Sequence, residues 1–259
     1  MTSKKLNKQF KKDEIELLEK KYLDEIYFFM NKNITWLLER LKSKNEIKKD
    51  WLNVFKITSR KNYKNPSELN IGAERVIHNL FGRCKSFNVN SSPIGSDLMF
   101  ETQDSFINLE VKTAVDSNTA DFKGDIQLSQ NQTTYAVTKT KRGNNYPFIP
   151  SLPKVYSNGK ICLTYVIQII HNNSEDLPKM IVLLSIPNGL LNSTYGNCIN
   201  PGKHTKKLNR LNSKGDIRFS YKDAKKFENL NNKPSRIKVI YPKNPSKKLL
   251  KNYLGFDEL

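Results

Sequence analysis

The chain has 259 residues, with 44 Lys+Arg against 25 Asp+Glu, a formal net charge of +19 and an apolar share of 37%. An aromatic share of 10% excludes a disordered tail, and no run approaches the roughly 18 apolar residues that a membrane span needs. The charged opening MTSKKLNKQFKKDE has no apolar run behind it, so no secretory signal is expected and a cytoplasmic location is inferred. Cys84, Cys162 and Cys198 are scattered and odd in number, which fits reduced thiols rather than a disulfide framework or a zinc site. The 30 Asn and the excess of Lys over Arg are compositional bias and carry no functional weight. A surface this basic repels itself, and a polyanion would offset that; nucleic acid is the commonest such partner.

In chain order, residues 8–45 read as helical. Leu17, Leu18, Tyr22, Ile26, Phe29, Ile34, Leu37, Leu38 and Leu41 recur at spacings of three and four, with charges on the other face. A second short helix is expected near Trp51, and KNYKNP (61–66) is a break. Ser67 to Phe81 reads as a helix with the buried stripe Ala73, Val76, Ile77, Leu80 and Phe81, terminated by Gly82. SFNVN (86–90) is a strand candidate and SSPIGS a loop. SDLMFE and FINLEVKTA form two strands joined by the turn-like TQDS. Residues 129–139 are expected to form a short helix. KICLTYVIQII (160–170) and KMIVLLSIP (179–187) suit central strands, and GDIRFSY (215–221) and SRIKVIYP (235–242) are later ones. The tail NPSKKLLKNYLGFDEL reads as peripheral. This order implies an α/β (α+β) fold around one mixed β-sheet flanked by helices. The chain reads as a single domain, 1–259, with a helical N-terminal region 1–65 and a core 66–245.

The segment Asp97–Lys112 carries the chemistry. In FINLEVK the apolar Ile107, Leu109 and Val111 alternate with Asn108, Glu110 and Lys112, so Glu110 and Lys112 project from one strand face. A hairpin returning through TQDS brings Asp97 beside them. Two carboxylates suit one or two Mg²⁺ ions, which prefer oxygen ligands and keep waters. Such a metal lowers the pKa of bound water and stabilises a phosphate under attack, while an ammonium orients the water or balances charge. A solvated hairpin face with an ordinary Glu–Lys pair has the same spacing.

Asp97, twelve intervening residues, then Glu110-Val111-Lys112 resembles the PD-(D/E)xK nuclease motif. SPIGSDLMFE followed by FINLEVKTA is similar to the metal-binding hairpin of type II restriction endonucleases. The upstream helix GAERVIHNLF resembles the one that often supplies a further acid in that superfamily. SQNQTTY (129–135), IPNGLL (186–191) and GDIRF (215–219) add a weaker resemblance to HpaI-like enzymes. The motif's Pro position is Ser96 here. The resemblance implies a restriction-endonuclease-like core in which Asp97 and Glu110 are metal ligands, the carbonyl of Val111 completes the coordination and Lys112 orients water or stabilises charge. It makes Glu74 a further catalytic acid, partnered by the metal or Lys112; a rim carboxylate pairing with Arg75 or solvent fits the same position. The implied activity is Mg²⁺-dependent, site-specific hydrolysis of double-stranded DNA. A homodimer would read a palindrome, and a separate methyltransferase would protect the host's sites.

Candidate DNA contacts follow from residue type. Gln130, Asn131 and Gln132 lie just after the hairpin; such amides bond bidentately to adenine, and Asn131 and Gln132 are candidates for DNA or active-site contacts. Lys139, Lys141, Arg142, Asn144 and Asn145 form one polar loop, and Lys203, Lys206, Lys207 and Arg210 another, with Arg218 near by. His78 suits a helix surface, and Asp121 and Asp125 flank the turn-like FKGD. The first helix is a candidate dimer element or ordinary core. No HNH-type cluster, zinc cluster or phosphate-binding G-x-x-x-x-G-K-[ST] loop is present. A non-catalytic DNA-binding protein and a junction or repair nuclease of the same fold are the alternatives.

Overall fold

A computed structural model describes residues 10–50, 68–89, 96–129, 132–134, 136–141, 144–149, 152–172, 177–188, 198–201, 217–223, 229–230, 233–234 and 236–256. The expected helix near Trp51, the break at 61–66 and the loop residues 91–95 lie outside them. Helices α1 (Lys12–Lys32), α2 (Ile34–Asp50) and α3 (Glu68–Phe81) precede the strands. Strands β1 (Asn88–Val89), β2 (Leu98–Glu101) and β3 (Ser105–Val115) come next. Then follow β4 (Asp125–Leu128), β5 (Val137–Lys141), β6 (Asn144–Phe148), β7 (Ile161–His171) and β8 (Pro178–Ile186). The chain continues through β9 (Ile199–Pro201), β10 (Ile217–Ser220), β11 (Asn229–Leu230), β12 (Lys233–Pro234), β13 (Ile237–Tyr241) and helix α4 (Lys247–Tyr253).

Six strands form one sheet in the order β1-β2-β3-β7-β8-β13, with β3 and β7 parallel and the other pairs antiparallel. This is the expected mixed sheet. Its two faces are packed differently. Leu163, Tyr165, Ile167 and Ile169 of β7 join Ile107, Leu109 and Val111 of β3 against α1, α2 and α3. Val166 and Ile170 face the other way, toward Ile126 and Leu128 of β4, Ile217 and Phe219 of β10, and Leu250 and Leu254. Both faces are therefore covered, which is why the long apolar runs of β7 and β8 show no polar alternation. Phe81 on α3 sits 5.7 Å from Phe87 and 5.6 Å from Phe100 on β2, ring centre to ring centre. These aromatic pairs fix α3 against the β2–β3 hairpin, each adding about 0.5–1.5 kcal/mol beyond area burial.

Three expectations need correction. The stretch 8–45 is not one helix: α1 stops at Lys32, where Asn33 donates from its side chain to the Phe29 carbonyl at 2.8 Å and its own carbonyl accepts Leu37 N–H at 2.9 Å. An Asn side chain competes with the helical ladder, so the apolar period runs through a break it does not reveal. Residues 129–139 hold no α-helix among the described residues; Gln132 lies in a 3-10 turn, its main-chain N–H on the Ser129 carbonyl at 3.0 Å. Val137–Lys141 is β5, paired antiparallel with β6, so the expected loop 138–145 is a hairpin. Thr133, Thr134, Val137, Thr138 and Thr140 are β-branched, and that preference prevails. The tail is not peripheral: α4 starts on Ser246, whose Oγ accepts Leu249 N–H at 3.3 Å, and inserts Leu250 and Leu254 into the core. Gly255 follows at φ +77, with its N–H on the Leu250 carbonyl at 3.1 Å, which closes the helix end. Among the described residues no helix is long and apolar enough to cross a membrane.

A buried ion pair ties α1 to the chain just before β13. Arg236 Nη2 lies 2.8 Å from Glu19 Oε2, and Asn188 N–H donates to Glu19 Oε1 at 2.7 Å. Burial pushes the Glu19 carboxyl up against the pull of Arg236. Removing one partner strands the other charge, so Arg236→Ala should lower unfolding stability by about 3–5 kcal/mol, measured by denaturant titration.

Candidate active site

Strand β2 pairs with β3 so that Leu98 stands opposite Leu109 and Phe100 opposite Ile107. Asp97, one residue before Leu98, therefore falls beside Glu110. Asp97 Oδ2 accepts the Val111 N–H at 2.7 Å, and the Asp97 N–H donates to Glu110 Oε2 at 3.3 Å. Lys112 Nζ donates to Glu110 Oε1 at 2.7 Å. The three residues singled out from the sequence thus converge. Glu110 is 3% exposed, because β3 is an inner strand and its polar face is covered as well as its apolar one. Burial is the main cause that raises its carboxyl to about 7, with Asp97 adding to the rise and Lys112 opposing it. Lys112 and Asp97 stay half-buried.

Glu74 lies half-buried on α3. Burial raises its carboxyl, Asp97 raises it further, and Lys112 and Arg75 pull it down. The helix acid is therefore electrostatically coupled to the hairpin site. His78 is exposed on the same helix.

Ser96 stands where the motif carries Pro, and it is buried. Its hydroxyl donates to the Leu98 carbonyl at 2.9 Å and lies 3.2 Å from Asn108 Oδ1. Asn108 in turn donates to Cys162 Sγ at 2.7 Å. Hydrogen bonds here do the backbone shaping that a Pro ring would do, and Asn108 is the polar residue whose part the strand pattern did not reveal.

Gln132 lies against Glu110 rather than on the surface. It is 6% exposed, its amide donates to Glu110 Oε1, and its own carbonyl oxygen accepts Ser129 N–H at 3.0 Å. Arg218, on β10, is engaged by Asp121 at 3.0 Å, and Asp125 by Lys222 at 2.9 Å. The turn between those two acids is real, with Gly124 at φ +65. Lys139 and Lys141 lie on β5, and Asn144 and Asn145 on β6. Gln130, Asn131, Arg142, Lys203, Lys206, Lys207 and Arg210 lie outside the described residues.

Among the described residues no group of three or more His, Cys, Asp and Glu side chains forms a full metal-ligand set. The donor set nonetheless suits a hydrated divalent ion. Two neighbouring carboxylates and a main-chain carbonyl are hard oxygen donors, and such ions take one or two carboxylates and fill the remaining positions with water and phosphate.

A family model described as the type II restriction enzyme MwoI, N-terminal domain, matches residues 11–176, and one described as its central domain matches 179–242. Among solved structures, the restriction endonuclease BglI bound to its DNA recognition sequence matches with a TM-score of 0.63 and 18% identity, covering 87% of this chain and 89% of that one. The tetrameric restriction endonuclease SfiI bound to cognate DNA matches with a TM-score of 0.62 and 14% identity, covering 89% of this chain and 86% of that one. No curated protein sequence matches significantly.

The hydroxyl of Ser96 anchors the entry to β2, so Ser96→Ala should cost about 1–2 kcal/mol of stability, read from thermal or denaturant unfolding.

Proposed function

The chain belongs to the MwoI family of type II restriction enzymes, and we propose that its β2–β3 hairpin is the site at which it hydrolyses double-stranded DNA with Mg²⁺. The family makes it a site-specific deoxyribonuclease and implies a divalent metal cofactor. The observation that carries the reading is the convergence of Asp97, Glu110 and Lys112 at one end of the β2–β3 pair. Asp97, Glu110 and the Val111 carbonyl would hold the metal. Bound there, it would acidify a water and offset negative charge on the phosphate under attack. Lys112 supplies an ammonium at the same place, able to orient that water or balance charge as the phosphate gains it. Glu74 adds a carboxylate whose field reaches Asp97 and Lys112, and we assign it a supporting acid role.

The basic β5–β6 hairpin, with Lys139, Lys141, Arg142, Asn144 and Asn145, and the segment with Lys203, Lys206, Lys207 and Arg210 are the proposed DNA contacts. Their charge supplies the sequence-independent part of binding. Arg218 would join them only by sharing or leaving Asp121. A palindromic site cut by a homodimer, a separate protecting methyltransferase and a cytoplasmic setting complete the proposal. The chain acts as a single endonuclease domain, 1–259, with the helical region 1–65 and the core 66–245. The boundary between the two family models falls between β7 and β8, which are hydrogen-bonded neighbours in one sheet.

Purified protein incubated with long duplex DNA and Mg²⁺ should give discrete bands that EDTA abolishes; mapping their ends gives the recognition site. Asp97→Ala and Lys112→Met should each lower cleavage by at least about 100-fold, the scale of losing one preorganised electrostatic group. Asp97→Ala should keep DNA binding in a gel shift, and normal cutting by it would refute the assignment.

A further inference from the structure

The two oxygens of Glu110 are held differently. Oε1 accepts from both Lys112 Nζ and Gln132 Nε2. Oε2 accepts the main-chain N–H of Asp97 at 3.3 Å. Gln132 is fixed from behind. Its carbonyl oxygen takes the Ser129 N–H at 3.0 Å, and its own N–H reaches the Ser129 carbonyl at 3.0 Å. With the oxygen end of the amide used in this way, the NH₂ end is the one that faces Glu110. Gln132, Thr133 and Thr134 are all buried, so this side chain does not present itself to a base edge.

Lys112 carries three N–H donors, one of them on Glu110, and its ammonium can turn toward water or a phosphate. When the ammonium turns from the carboxylate toward water or phosphate, a carboxylate only 3% exposed loses a donor. A buried charge left without hydrogen bonds is costly, and a neutral donor that stays in place removes that cost. Gln132 is placed to be that donor.

We infer that Gln132 is a positioning residue: its amide anchors Glu110 Oε1, which keeps Oε2 directed to the Asp97 side and lets Lys112 leave the carboxylate. The inference rests on the reading of Asp97, Glu110 and Lys112 as the catalytic set. Of the two expectations for Gln132, DNA contact and active-site contact, it takes the second. Partners of metal-ligating carboxylates typically contribute 10–100-fold to metal affinity or activity.

The test uses the full chain with Gln132→Ala, Gln132→Met and Glu110→Ala. Met keeps the side-chain volume without a donor, so it remains informative if the smaller side chain compromises folding, and thermal melting checks both. Three quantities are read: single-turnover cleavage of the mapped site across a Mg²⁺ series, DNA affinity in EDTA by gel shift, and binding of Mn²⁺ alone by electron paramagnetic resonance. The expected result is a loss of about 10–100-fold in cleavage rate or in metal affinity, with DNA affinity unchanged. Wild-type cleavage and metal requirement in folded Gln132 variants overturn the inference, as does a loss fully matched by weaker DNA binding. If Glu110→Ala is inactive while the Gln132 variants cut normally, the catalytic reading stands and this inference alone falls. If Glu110→Ala itself cuts normally, both fall.

Discussion

Leu98 stands opposite Leu109 in the β2–β3 pair, and the whole candidate site depends on that register. Side chains alternate along a strand, so a slip of one residue would send either Asp97 or Glu110 to the wrong face. The register is held at several points. Leu98, Phe100, Ile107 and Leu109 must all face the helices to join the core, and Thr102 N–H closes the turn on the Ser105 carbonyl at 2.9 Å. At the open end, Asp97 exchanges hydrogen bonds with the Val111 N–H and Glu110 itself, so the carboxylates are part of what keeps the hairpin paired.

The neighbours of β3 set the electrostatics. On one edge it pairs with β2 and on the other it runs parallel to the eleven-residue β7, from Ser105 opposite Ile161 to Val115 opposite His171. An inner strand with both faces covered takes its polar residues out of water. Asn108 is then matched to Ser96 and Cys162, and Glu110 to Lys112, Gln132 and the Asp97 main chain. A carboxyl shifted by burial toward neutrality sits beside Asp97, whose charge also reaches Glu74 on α3. Such a cluster of acids is a local exception in a chain of net charge +19.

The aromatic contacts of Phe81 with Phe87 and Phe100 and the buried Glu19–Arg236 pair act at longer range. The first docks the helix that carries Glu74 onto the hairpin. The second locks α1 to the chain just before β13. Neither touches the reacting groups, yet both keep the sheet and its helices from shifting relative to the site.

Strand periodicity and turn chemistry were enough to identify the hairpin, Asp97, Glu110 and Lys112, because alternation and a short loop are local properties of the chain. The same is true of the apolar runs that became β7 and β8. Local patterns were insufficient at Asn33, where one side chain interrupts an unbroken apolar period, and at 137–148, where β-branched residues outweigh a polar composition. They were silent on the burial of Glu110 and on the partners of Ser96 and Asn108, and they left Gln132 open between DNA and the active site. Those outcomes depend on which segments cover each face of β3, and such contacts join residues distant in sequence. The convergence of Asp97, Glu110 and Lys112 was therefore legible in residue types and spacing. Its burial, hydrogen bonding and charge balance were decided by tertiary packing, because desolvation is a property of the surroundings and not of the strand alone.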